Sequence, residues 1–149
     1  MSIKKISAMA IAGLLAIGAV ATVAQDAFVA PATPEEAVEM RQALMKEDGG
    51  IMRGLGSLSG AEAVAALNTV LTNYSHIRDL FPEGSIVGDS EALPAIWENW
   101  DAFTAIVETG KTAATEAIAA AEAGDAAAYA AALKTLGGTC GTCHQQFRG

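Results

Sequence analysis

Aromatic side chains, basic side chains and cysteines are all scarce in this chain. Phe, Trp and Tyr make up 5% of 149 residues although 52% are hydrophobic, because alanine supplies much of the apolar content. That balance disfavours a β-sandwich and suits close-packed helices. Nine Lys and Arg face 17 Asp and Glu, a formal charge of −8. So acidic a chain is a poor partner for nucleic acid; its charge either steers it towards basic protein surfaces or serves solubility alone. No paired carboxylates and no nucleophile–base constellation are evident, so no enzymatic role is expected. The length suits one domain with a single modest core.

Long apolar runs are also lacking, except at the N-terminus. There "ISAMAIAGLLAIGAVATVA" follows Lys4 and Lys5 and ends in small residues, Thr22 and Ala24, before Gln25. This is the layout of a secretory signal peptide over residues 1–24, which leaves residues 25–149 as the mature domain. The alternative is an uncleaved anchor, since Ile6 to Ala24 is nearly long enough to span a bilayer. The Ala and Gly content and the processing-type end favour cleavage, after which no membrane insertion is expected. Loss of the two lysines leaves seven basic residues against 17 acidic ones, a formal charge of −10.

What is present is a series of helix signals. Thr33, Pro34 and Glu36 form a capping box with proline at the first helical position, predicting a helix from there to about Arg53. Val38, Arg41, Met45 and Met52 share its inward stripe. Ser59 and Glu62 repeat the box and open a second helix with Val64, Leu67, Leu71, Tyr74 and Arg78 on one face. "LFPEGSIVGDS" then reads as a long loop. Pro94 starts a third helix, with Ile96, Trp100, Phe103 and Val107 on one side and Trp97 flanking them. Gly124 stops it, and Asp125 caps a fourth whose inner face carries Tyr129, Leu133, Leu136, Cys140, Cys143 and Phe147. The predicted fold class is all-α, an antiparallel four-helix bundle.

The two cysteines lie at the very end, in "TCGTCHQQFRG". Cys140, Cys143 and His144 spell C-x-x-C-H, the attachment sequence of a c-type haem. On a helix these positions share one face, so two thiols can form thioethers while the imidazole reaches the iron. A redox dithiol belongs at a helix start after a strand, and this pair sits at a helix end with no strand nearby. A disulfide is poor across one helical turn, and zinc would lack a fourth ligand, the only other histidine being His76. Covalent haem also agrees with export, since free thiols outside the cytoplasm tend to oxidise. The expected location is therefore the periplasm. For the other face of the iron, Met45 is the leading candidate, with Met40, Met52 and His76 behind it; core filling is the alternative role for these methionines.

With "RQALMK", "LFPEGS", "IWENWDAF" and "CGTCHQQFR" in this order, the mature chain resembles the class II c-type cytochromes, the cytochrome c prime family with its low-spin, methionine-ligated relatives. The resemblance implies a four-helix bundle holding one covalent haem c, attached at Cys140 and Cys143 and ligated by His144. It implies that Arg148 lies beside that histidine, that Arg41 is associated with a haem propionate, that Met45 sits over the distal face and that Phe81 is a distal aromatic. It also implies a homodimer through the first two helices, as in many members. Two functions follow. If Met45 ligates the iron, the protein is an electron carrier exchanging with redox partner proteins of basic surface. If Met45 only packs there, it binds diatomic gases, nitric oxide or carbon monoxide.

Overall fold

A computed structural model describes residues 28–149. The expected signal peptide, residues 1–24, lies outside the described residues. Four long helices carry the fold: α1 (Pro34–Leu55), α2 (Gly60–His76), α4 (Trp100–Ala123) and α5 (Ala126–Phe147), with a one-turn α3 (Ala95–Glu98) before α4. A 3-10 turn, Ile77–Leu80, extends α2 into the long loop. They form the expected antiparallel four-helix bundle. α4 is its centre, packed on both α2 and α5, while α1 packs on α2. No helix among the described residues is long and apolar enough to cross a membrane.

The caps follow the side-chain chemistry. Thr33 Oγ1 accepts from Glu36 N at 3.1 Å, and Glu36 reaches back to Ala32 N at 2.7 Å. These bonds satisfy donors that a helix start leaves unpaired. Asp125 caps α5 by accepting from Ala127 N and Ala128 N. Gly124 ends α4 in the left-handed region, at φ 69°. The second capping box does not form: Ser59 precedes α2 in extended conformation but makes no side-chain cap bond.

The core contains Leu55, Leu67, Val70, Ile96, Phe103, Val107, Leu136 and Phe147. On α4, Gly110, Ala113, Ala114 and Ala117 are also buried, so small side chains bring neighbouring helices close. The inward stripe of α2 differs from the expected one. Ala63, Leu67, Val70 and Tyr74 are buried, with Ile77 in the following turn, whereas Arg78 is exposed and faces Glu108 at 4.0 Å. The third helix is also divided. Asn99, at φ −129° and ψ 47°, separates α3 from α4, and its side chain donates to Ala95 O at 3.3 Å. Asparagine competes for backbone partners in this way, which suits it to a helix break.

Candidate cofactor site

The last turn of α5 is fixed from both sides. Phe147 is buried edge-on against Phe103, centroids 5.6 Å apart. Beyond it the chain end pairs with the close of the long loop: Leu93 N donates to Phe147 O at 3.0 Å and Gly149 N to Glu91 O at 2.9 Å. Arg148 Nε reaches Glu91 Oε2 at 2.7 Å. These contacts hold the helix turn that carries Cys143 and His144.

Beside that turn is a cavity of about 400 Å³ between α1, the long loop, α4 and α5. Met45 and Arg41 line it from α1, Phe81 and Ser90 from the loop, Ile96 and Phe103 from α3 and α4, and Cys143, His144 and Arg148 from the chain end. Six of the seven predicted site residues thus share one lining. The seventh, Cys140, lies one turn earlier on α5 and outside the lining, with Sγ 3.6 Å from Tyr74 Oη. Met40, Met52 and His76 do not line it; the His76 ring stacks on Phe28 with centroids 3.8 Å apart.

Arg41 is the best-fixed polar group of the site. It is 5% exposed. One terminal nitrogen donates to Leu80 O at 3.2 Å and Ser85 Oγ at 2.8 Å; the other donates to Ser85 O and Ser90 Oγ, each at 2.6 Å. Its guanidinium carbon sits 4.6 Å from the Phe81 ring centroid, an added cation–π contact. Trp97 Nε1 donates to Phe81 O at 3.1 Å and steadies that stretch of loop. All four acceptors of Arg41 are neutral, so its charge is solvated by dipoles and has no counter-anion among the described residues. Burial accordingly lowers its pKa.

The titratable groups of α5 respond to the same surroundings. Burial, helped by Cys140, pushes the Cys143 thiol up to about 11. His144 is lowered by burial and then by Arg148, with Glu91 opposing, which favours the neutral imidazole that ligates metals. Among the described residues no three His, Cys, Asp or Glu side chains converge on one point as a metal-holding group. Cys140, Cys143 and His144 therefore suit separate attachment points on one large cofactor better than a shared ion. An apolar, aromatic cavity with the Cys143 thiol and the His144 imidazole along one wall, Cys140 one turn away, and a cation on another wall fits a haem with its acidic side chains.

Sequence reasoning did not identify Ser85 and Ser90, which hold Arg41, or the bond between Tyr74 and Cys140. A serine in a polar loop carries no local mark of burial, yet Ser85 is 0% exposed. Tyr74 was expected to face the core, and the spacing of α2 gave no sign of its partner.

Comparison with known proteins points to a single family. A family model, Cytochrome C', matches residues 35–148. A cytochrome c-556 from Agrobacterium fabrum (strain C58 / ATCC 33970) is 39% identical over 110 residues, covering 69% of this chain and 66% of its own length. Another, from Agrobacterium tumefaciens (strain II Chrys), is 48% identical over 73 residues, covering 44% of this chain and 59% of its own length. The chain thus spans about three-fifths to two-thirds of these relatives. Among solved structures, cytochrome c prime from Shewanella frigidimarina superposes with a TM-score of 0.73 at 23% identity, over 79% of this chain and 98% of that one. A mutant of cytochrome c prime from Alcaligenes xylosoxidans, as its nitric oxide complex, gives 0.70 at 25% identity, over 78% and 97%.

Proposed function

The chain belongs to the cytochrome c' family, and on that premise we propose that it is a periplasmic electron-transfer protein with haem attached through Cys140 and Cys143. His144 is the proximal ligand in this reading and Met45 the sixth ligand. The observation that carries it is the shared cavity, to which α1 contributes Met45 and α5 contributes Cys143 and His144. The apolar N-terminal run supports export.

Bound haem supplies a one-electron iron couple. The protein holds and tunes it. Cys140 and Cys143 would tether it to the last two turns of α5, whose end the Phe147 contact and the paired chain end keep in place. His144 offers a neutral nitrogen. Met45 would offer a thioether to the metal, a ligand that favours the reduced state. Arg41 places a fixed positive charge at the wall, suited to an acidic side chain of the cofactor. Phe81, Phe103 and Ile96 exclude water from the rest of the lining.

A second reading is supported by the nitric oxide complexes among the structural neighbours. If Met45 only packs in the cavity, the same apolar wall leaves room for a small neutral diatomic and disfavours larger or charged ligands. The ferric absorption spectrum separates the two. Low-spin bands with a weak sulfur-to-iron absorption, lost in Met45→Ala, support the carrier. High-spin bands and tight carbon monoxide binding in the ferrous protein support the gas binder. A colourless protein with two titratable thiols, from a host able to attach c-type haem, overturns both.

A further inference from the structure

Asp48 lies on α1, three residues after Met45 and a rise of ~4.5 Å along the same helix. It is 6% exposed. Its Oδ1 accepts from Asn73 Nδ2 at 2.8 Å, and that amide also donates to Glu47 Oε2 at 2.9 Å. The titratable groups whose charges couple to it are Glu47 on its own helix and Tyr74 on α2. None of the ion pairs among the described residues includes Asp48. This is a buried carboxyl group with one amide for company and no cation.

A second polar cluster, on the next residue of α2, touches the attachment site. Tyr74, beside Asn73 in sequence, places its hydroxyl 2.9 Å from Thr139 Oγ1 and 3.6 Å from Cys140 Sγ. The Tyr74 hydroxyl is held protonated first by burial, with the Thr139 bond opposing, then by Cys140 and least by the field of Asp48. Asp48 itself is pushed up to about 6 by burial, with the Asn73 bond opposing and Glu47 adding to the rise. The fold does not need a carboxylate here, because an amide could accept the same bond from Asn73.

A negative charge buried near an iron centre favours the oxidised metal, and adding an electron to the metal raises the proton affinity of that charge by the same coupling energy. Resting on the electron-transfer reading above, we infer that Asp48 is a redox-linked proton-binding site. On reduction, one electron enters from a donor protein and one proton from bulk water, forming an O–H bond on the Asp48 carboxyl. On oxidation that bond breaks and the proton returns to water as the electron leaves to an acceptor. The chain then carries a net hydrogen equivalent near the pH at which Asp48 titrates and a bare electron well above it.

The test measures the reduction potential of the holoprotein across pH in wild type and Asp48→Asn, with infrared difference spectra between the ferric and ferrous states. Wild type is expected to lose potential as pH rises through the Asp48 titration and to gain a protonated-carboxyl band on reduction. Asp48→Asn is expected to lose both the slope and the band. If the variant does not mature, wild type carrying isotope-labelled aspartate decides: a band that fails to shift overturns the inference. A reversible couple whose pH dependence survives in Asp48→Asn overturns the inference alone. A holoprotein with no reversible one-electron couple overturns the electron-transfer reading, and the inference with it.

Discussion

Gly110 of α4 lies directly against the ring of Tyr74: a Cβ built at Gly110 would fall 2.0 Å from Tyr74 Cε1 and 2.6 Å from Cδ1. Glycine is required there for space. The ring passes over the bare backbone of α4 so that its hydroxyl can reach Thr139 and Cys140 on α5. Alanine at this position gains helix propensity but forces a buried ring off its seat. Gly110→Ala is therefore expected to destabilise the protein by about 1–3 kcal/mol despite that gain. Chemical unfolding of wild type and variant measures it, and an equal or higher midpoint would refute the close-approach account.

Arg41 predicts a different kind of failure. Its guanidinium joins α1 to Leu80, Ser85 and Ser90 through four bonds, so the long loop is ordered from outside itself. Lysine keeps the charge but lacks the planar fork, and at least one buried acceptor loses its donor. Arg41→Lys is expected to cost about 2–4 kcal/mol and to make residues 81–90 the first site of proteolytic cleavage. Cleavage that begins elsewhere at an unchanged rate would mean that the loop holds itself.

Asp48 makes stability depend on pH in a fixed direction. Its carboxyl titrates near 6 in the folded state against 3.8 for an unperturbed group. Below the lower value both states are protonated and the burial of Asp48 carries no ionic penalty. Between the two values the unfolded state gives up its proton first, so stability falls as pH rises, until the folded group also ionises near pH 6. Asp48→Asn removes this loss. The variant should match wild type at low pH and exceed it by about 1–3 kcal/mol at neutral pH. Urea unfolding at both pH values checks this, and a neutral-pH advantage of zero would mean the carboxylate is stabilised by something other than Asn73.

Much of this arrangement was legible because it depends on neighbours in sequence. The caps at Thr33 and Asp125, the stop at Gly124 and the spacing of Cys140, Cys143 and His144 each involve residues within one helical turn, where side-chain chemistry acts alone. The features that sequence reading missed involve distant partners. Arg78 continues the expected α2 spacing, yet Ile77 enters the core because the chain tightens into a 3-10 turn there. The break at Asn99 contains no proline, and it follows a stretch anchored to distant residues: Leu93 to Phe147, and Trp97 to Phe81. Ser85 becomes a buried acceptor only once α1 delivers Arg41. No periodicity encodes such pairings, since they arise when helices already specified by local signals are packed together.

The distribution of charge leads to a last prediction, about partners. From Asp79 to Asp101 the chain carries six acidic residues, Asp79, Glu83, Asp89, Glu91, Glu98 and Asp101, all exposed, and no Lys or Arg. This stretch includes the loop that borders the cavity, so these charges lie beside the proposed cofactor site. Glu91 is partly neutralised by Arg148, but the other five make no ion pair among those described. A basic electron-transfer protein should be drawn to this side at low ionic strength. The rate should fall steeply as salt rises to ~0.15 M, where the screening length shortens to about 8 Å. Reversing Glu83 and Asp89 to lysine should remove most of that dependence and leave the absorption spectrum unchanged. Stopped-flow mixing with a basic one-electron donor measures both effects. A salt response that persists in the double variant would place the encounter on another face of the bundle.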